Sequence, residues 1–230
     1  MALPPIEPYA LPTATATVTG PAPTATATGL PDSPLRHWRP EPERAALLVH
    51  DMQRYFLRPY ADREPLPQVT ANIAALAAHA RAGGIPVVYT RQPPRQPTAR
   101  RGLLADLWGP GPGALPDDAD IPDPLRPRPG DTVLTKHRYS AFHGTPLLDL
   151  LRRAGRDQLL VTGVYAHLGC LLTCADAFMN DIRPFLLADA TADFDPGLHR
   201  MALDYAAARC AKPTTTALAL ADLAPAPPGK

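Results

Sequence analysis

The sequence has no surplus charge: 23 Lys and Arg stand against 22 Asp and Glu, a formal net charge of +1 over 230 residues. That balance lacks the electrostatic footprint of a nucleic-acid-binding protein or of one held to an anionic membrane. Cysteine is scarce. Cys170, Cys174 and Cys210 are odd in number and form no CxxC pair, which argues against a disulfide framework and for a reducing cytoplasm. No apolar run approaches the roughly 20 residues of a membrane span, and the N-terminus has neither the basic nor the apolar region of a secretory leader. The seven histidines make no HxxxH or His/Cys cluster at ligand spacing, and no glycine-rich phosphate loop is present. Neither a metal nor a cofactor is expected, and small-molecule chemistry in one sizeable domain remains.

Proline punctuates the chain. Ten of the 31 lie in residues 1–42 and ten more in 93–129. The first group, with its repeated TATAT tract, reads as a flexible low-complexity arm over 1–34, without a core of its own. The second marks one long loop. The folded domain is expected over 35–222, with a tail over 223–230.

Within the domain, strand and helix patterns alternate. AALLVHD (45–51) is a short apolar run ending in charge, as a strand buried on both faces should be. A helix follows over 66–84, closed by glycines, then a strand over 85–90 and another over 131–138. Helix 145–155, strand 157–165, helix 167–182, strand 184–190 and helix 196–210 come next, with a short strand near 212–216. The alternation predicts βαβ units and an α/β fold, a three-layer α/β/α sandwich around a central parallel sheet of about six strands.

In such a sheet the ligand crevice lies beyond the C-terminal strand ends. The first strand ends at His50-Asp51, the third delivers Lys136 and the fourth Val164-Tyr165, so an acid, a cation and an aromatic hydroxyl are expected at one crevice. Taken singly, Asp51 could be a solvated strand-end cap and Lys136 a surface charge. Their convergence favours a site. His50 is expected to be hydrogen-bonded within the strand end.

VHDMQRYFLRP (49–59), TKHRYSAFHGTPL (135–147), GRDQLLVTGVYAHLGC (155–170) and DAFMNDIRPFLLADATADF (176–194) resemble isochorismatases, from about Leu35 to the last helix. The arm's YALPT is similar to that family's N-terminal entry. The resemblance implies cleavage of the enolpyruvyl vinyl ether of isochorismate or 2-amino-2-deoxyisochorismate, with Asp51 as the proton donor and Lys136 as its partner. It also implies that Gln92, Arg101, Trp108, Tyr139, Tyr165, Gly169 and Phe56 hold or line the substrate. Tyr165 and the Gly169 N–H are expected on the enolpyruvyl carboxylate, and Phe56 and Tyr139 along the ring. Core packing is an alternative for Phe56.

Thiol-dependent cousins of that family carry a nucleophilic cysteine at the position of Gly169. Cys170 comes one residue later, and one helical step turns a side chain by roughly 100°, so Cys170 and Cys174 are expected in the core. The alternative is a thiol amidase using Cys170, if the helix start shifts by a residue. The resemblance further implies a cis Val164–Tyr165 bond, a homodimer, and no carrier domain in this chain, which favours phenazine-type over siderophore-type relatives. Two departures stand out. His137 replaces a tryptophan, and Arg91 adds a cation beside Gln92.

Overall fold

The computed structural model describes residues 3–17 and 24–224. An antiparallel pair opens the chain, β1 (Thr13–Thr17) with β2 (Thr24–Thr28). The β-branched threonines that made TATAT look structureless suit a strand equally well. Nor does the segment before it hang free. Ile6 and Leu11 are buried, the Ile6 N–H donates to the Pro59 carbonyl, and the Asp193 N–H donates to the Tyr9 hydroxyl at 2.7 Å. Three apolar or aromatic side chains spaced along a proline-rich segment are enough to fasten it, which a composition average does not register.

Six parallel strands follow: β3 (Ala45–His50), β4 (Val87–Arg91), β5 (Thr132–Thr135), β6 (Gln158–Val164), β7 (Arg183–Ala192) and β8 (Lys212–Thr214). They lie in the order β5-β4-β3-β6-β7-β8, so β3 and β6 are central. Every residue of these two is buried, because helices cover both faces. On one face, α2 (Leu66–Ala82) and α8 (Thr216–Asp222) pack with Leu47, Val49 and Tyr89. On the other, α5 (Leu147–Arg153), α6 (Leu171–Met179) and α7 (Pro196–Arg209) pack with Leu48, Val161 and Leu186. The three-layer sandwich expected from the sequence is the fold found.

Element ends are set by local chemistry. Asp195 caps α7 by accepting from the Leu198 N–H at 2.9 Å, with Pro196 at the first helical position. Thr215 caps α8, a helix that the sequence reading did not anticipate. The long loop carries only short helical turns, α3 (Thr98–Arg101), α4 (Leu104–Trp108) and a 3-10 turn at Asp123–Leu125. Another short helix, α1 (Arg54–Leu57), follows β3.

Candidate active site

The C-terminal ends of β3, β4 and β6 meet where the chain crosses from one side of the sheet to the other, and the crevice forms there. Asp51 directly follows β3 in a left-handed conformation, φ 48°. Aspartate tolerates this better than most residues, yet it is uncommon outside turns and sites. The turn leaves the carboxylate buried under the crevice floor.

Both carboxylate oxygens are held. Oδ1 accepts from the Thr90 hydroxyl at 2.7 Å, and Oδ2 from the Lys136 ammonium at 2.7 Å and the Gln92 amide at 3.2 Å. Lys136 also donates to the Arg138 and Tyr139 carbonyls at 2.8 and 3.2 Å, so all three ammonium protons have acceptors. Burial pushes the Asp51 carboxyl up, but the Lys136 ammonium, His50 and the Thr90 hydroxyl outweigh it and hold the group below the usual carboxylate range. Asp51 is therefore ionised at neutral pH in the empty site.

Above Gln92 lies Arg101, buried, whose Nη1 donates to the Gln92 side-chain oxygen at 2.5 Å and whose Nε donates to the Gly109 carbonyl. Gly111 has to be glycine here: its φ is +77°, and a Cβ would stand 2.9 Å from the guanidinium carbon. The Trp108 indole donates to the Tyr139 hydroxyl at 2.6 Å, which joins the loop to the Lys136 segment. Phe56, Trp108, Tyr139 and Phe194 give the crevice apolar walls, and Gly169 lies at its edge.

All nine residues singled out from sequence line this one crevice, apart from differences in what they offer. Tyr165 is the main one. Its hydroxyl donates to the Phe56 carbonyl at 2.7 Å, while its ring lies 4.2 Å from Phe194, so it presents a face, and the expected hydroxyl contact to substrate is taken. The Val164–Tyr165 bond is cis, as the resemblance implied. Sequence reasoning missed Thr90, Tyr55, Leu3 and Phe194. Thr90 carried a readable signal, since it stands two residues before Gln92 on β4 and so alternates onto the same side.

The sulfur stands elsewhere. A π-type turn over Ala166–Cys170 starts α6, and it leaves Gly169 at the crevice and Cys170 in the core with Cys174 and Cys210. Burial pushes the Cys170 thiol well above its usual range, so it is no thiolate at neutral pH. The two departures also resolve. His137 bonds Gln96 at 2.8 Å away from the crevice lining, and Arg91 points to solvent. Among the described residues, no group of three or more His, Cys, Asp or Glu is arranged to hold a metal, and no helix is long and apolar enough to cross a membrane.

Comparison with known proteins identifies the family. Residues 45–217 match the isochorismatase domain model. A phenazine biosynthesis protein, PhzD, of Pseudomonas fluorescens is 50% identical over 93% of this chain and 96% of its own. An isochorismatase of Bacillus subtilis is 46% identical over 99% of this chain and 69% of its own. Among solved structures, a cysteine hydrolase from Pseudomonas syringae superposes with a TM-score of 0.74 at 26% identity, covering 85% of this chain and 98% of that one. The sheet is thus shared with thiol enzymes, while sequence over nearly the whole chain sides with the isochorismatases. With its domain matched from β3 to the start of α8, the chain belongs to the isochorismatase family of hydrolases.

Proposed function

We propose that the crevice hydrolyses the vinyl ether of isochorismate or 2-amino-2-deoxyisochorismate, releasing pyruvate and a dihydroxylated or amino-hydroxylated cyclohexadiene acid. One observation carries the reading: a buried carboxylate, Asp51, is clasped by an ammonium, an amide and a hydroxyl beside a glycine, and no cysteine is among the described residues that line the crevice. Asp51 in its acid form gives its proton to the terminal methylene carbon of the enolpyruvyl group. The electron pair of that double bond takes the proton, and the ether oxygen stabilises the resulting oxocarbenium ion. Water adds to the cation and releases one proton to the solvent. The hemiketal then collapses to pyruvate and the ring alcohol, which keeps the ether oxygen, and Asp51 is reprotonated from solvent.

The Lys136 ammonium and the Thr90 hydroxyl hold Asp51 ionised, so substrate binding has to bring a proton with it. A dianionic substrate supplies the reason. Its carboxylates compete for Lys136 and Arg101, weakening the cation's hold on Asp51, and they add negative charge that favours the neutral acid. Arg101 offers a planar fork to one carboxylate. We place the Gly169 N–H and the Tyr165 segment at the enolpyruvyl carboxylate, and Phe56, Trp108 and Tyr139 along the ring.

The relative named for phenazine biosynthesis, matched at 50% identity, favours the amino substrate. Three buried free thiols suit a cytoplasmic enzyme, and we infer a homodimer, which light scattering at micromolar concentration would show or exclude. Pyruvate release coupled to lactate dehydrogenase, with each substrate supplied separately, tests the function. Turnover of at least one is expected, and silence with both would overturn the reading.

A further inference from the structure

His50 is a buried polar residue of the crevice to which this reading gives no role. It is the last residue of β3, 1% exposed, and clasped between two glycines. Its backbone pairs in register with Gly163 on β6, where φ is +108° and a Cβ would stand 2.1 Å from the His50 carbonyl oxygen. Its ring meets Gly169: a Cβ there would lie 2.0 Å from Cε1 and 2.6 Å from Nε2. No side chain fits at 169 while the ring is in place.

A neutral imidazole has one N–H to donate, and burial holds His50 below its usual range, so the ring donates to one of the two carbonyls that its nitrogens face. Nδ1 lies 2.8 Å from the Val164 carbonyl oxygen and Nε2 3.1 Å from that of Tyr139. The Tyr139 carbonyl is the one that also accepts from Lys136. One buried imidazole, on the residue directly before Asp51, thus touches the end of β6 and the loop that carries Lys136.

We propose that His50 is a positioning residue for the hydrolysis. Its ring occupies the volume that a side chain at 169 would need, and, wedged between the Val164 and Tyr139 carbonyls with its one N–H donated to one of them, it spaces the Lys136 loop against the β6 end, so that the ammonium meets Asp51 at bonding distance. The pair His50–Gly169 is then one device. The ring keeps a nucleophile-bearing side chain out of the crevice edge, and the glycine gives the ring its seat. The kinetic half of this inference rests on the proposed vinyl ether reaction, while the packing half does not.

The test is a cycle of four proteins, wild type, His50→Asn, Gly169→Ala and the double variant, each followed by pyruvate release and thermal unfolding. Asparagine keeps an amide near the place of Nδ1 and vacates the far side of the ring. Gly169→Ala should lose about 10²-fold or more in kcat, as a displacement of about 1 Å in an active site can do. His50→Asn should lose about tenfold in kcat with KM little changed, a split that a general loss of packing does not produce. The double variant should be no worse than His50→Asn, in both kcat and unfolding temperature, because the methyl then has room. Losses that multiply, or a His50→Asn with wild-type kcat, would overturn the proposal. If Gly169→Ala does not fold, the expected result is that His50→Asn rescues it, and a double variant that also fails counts against the pair. If His50→Asn does not fold, Gly169→Ala decides alone, and wild-type turnover in it overturns the proposal. If wild type releases no pyruvate from either substrate, the vinyl ether reading fails, and the unfolding temperatures still decide whether the two positions share one volume.

Discussion

Gly169 and Cys170 are neighbours in the chain and belong to two different regions of the molecule. Gly169 borders a crevice in which an ammonium, a carboxylate, an amide and a guanidinium, all buried, are linked in that order by hydrogen bonds. Cys170 faces the layer between the sheet and α6 and α7, where it packs with Leu186, Ala188 and Leu203 alongside the other two thiols. The contrast teaches that the chemistry here is a matter of aim. The cysteine-hydrolase neighbour shares the sheet, and this chain even keeps a cysteine at the helix start. One residue of offset at a π-type turn puts the sulfur behind the sheet and a hydrogen atom in front of it.

The largest effect that would break this comparison lies in the crevice. Asp51→Ala should lower pyruvate release by about 10³-fold, within the range for a missing general acid, while substrate binding by calorimetry persists through Arg101 and Gln92. A variant that still turns over would move the acid elsewhere. Next in size, Lys136→Met should cost about 10²-fold in kcat, as the loss of a preorganised charge does. It carries a sign as well. Lys136 holds Asp51 low in the empty site, so its removal raises that carboxyl, and the alkaline fall of kcat/KM should begin at higher pH in the variant. A profile that does not move would uncouple the two residues.

How much of this could be read from the sequence divides along the same line. The strands β3 and β6 were legible because strands buried on both faces read as unbroken apolar runs. Asp51, Gln92, Arg101 and Lys136 were legible through their motifs, and the strand-end rule placed Asp51, Lys136 and Tyr165 at one crevice. What side chains do with their last polar atom was not legible. The Tyr165 hydroxyl goes to the Phe56 carbonyl across 109 residues of sequence, and nothing local foretells a partner that distant. The same holds for Leu3, which reaches the crevice from the arm, and for β1 and β2, whose alternating Thr and Ala fit a strand and a disordered tract equally well. His50 showed only as a polar residue at the end of an apolar strand. Its clash with a Cβ at 169 exists only in three dimensions.

Smaller effects sharpen the comparison. Arg101→Lys should raise KM by about tenfold with kcat nearly kept, since an ammonium cannot replace two parallel guanidinium bonds, and steady-state kinetics on either substrate would show it. An unchanged KM would take Arg101 off the carboxylate. In the folded enzyme without substrate, Asp51 sits below its unfolded value of about 3.9, so it contributes stability that is present above that pH and is lost as pH falls through the lowered folded value. Unfolding temperature against pH in the acid range should therefore flatten in Asp51→Asn relative to wild type. Equal slopes would mean that the ion pair with Lys136 adds nothing to folding.

The measurement that bears most directly on the central claim is the turnover of Cys170→Ser, followed as pyruvate release on the substrate that wild type accepts. Cys170 is fully buried and its thiol is pushed up by burial, so the account predicts kcat within about twofold of wild type, with a lowered unfolding temperature because the core gains a hydroxyl that needs a partner. A Cys170→Ser protein that is folded and inactive would contradict it, and would return the reaction to a thiolate that reaches the crevice.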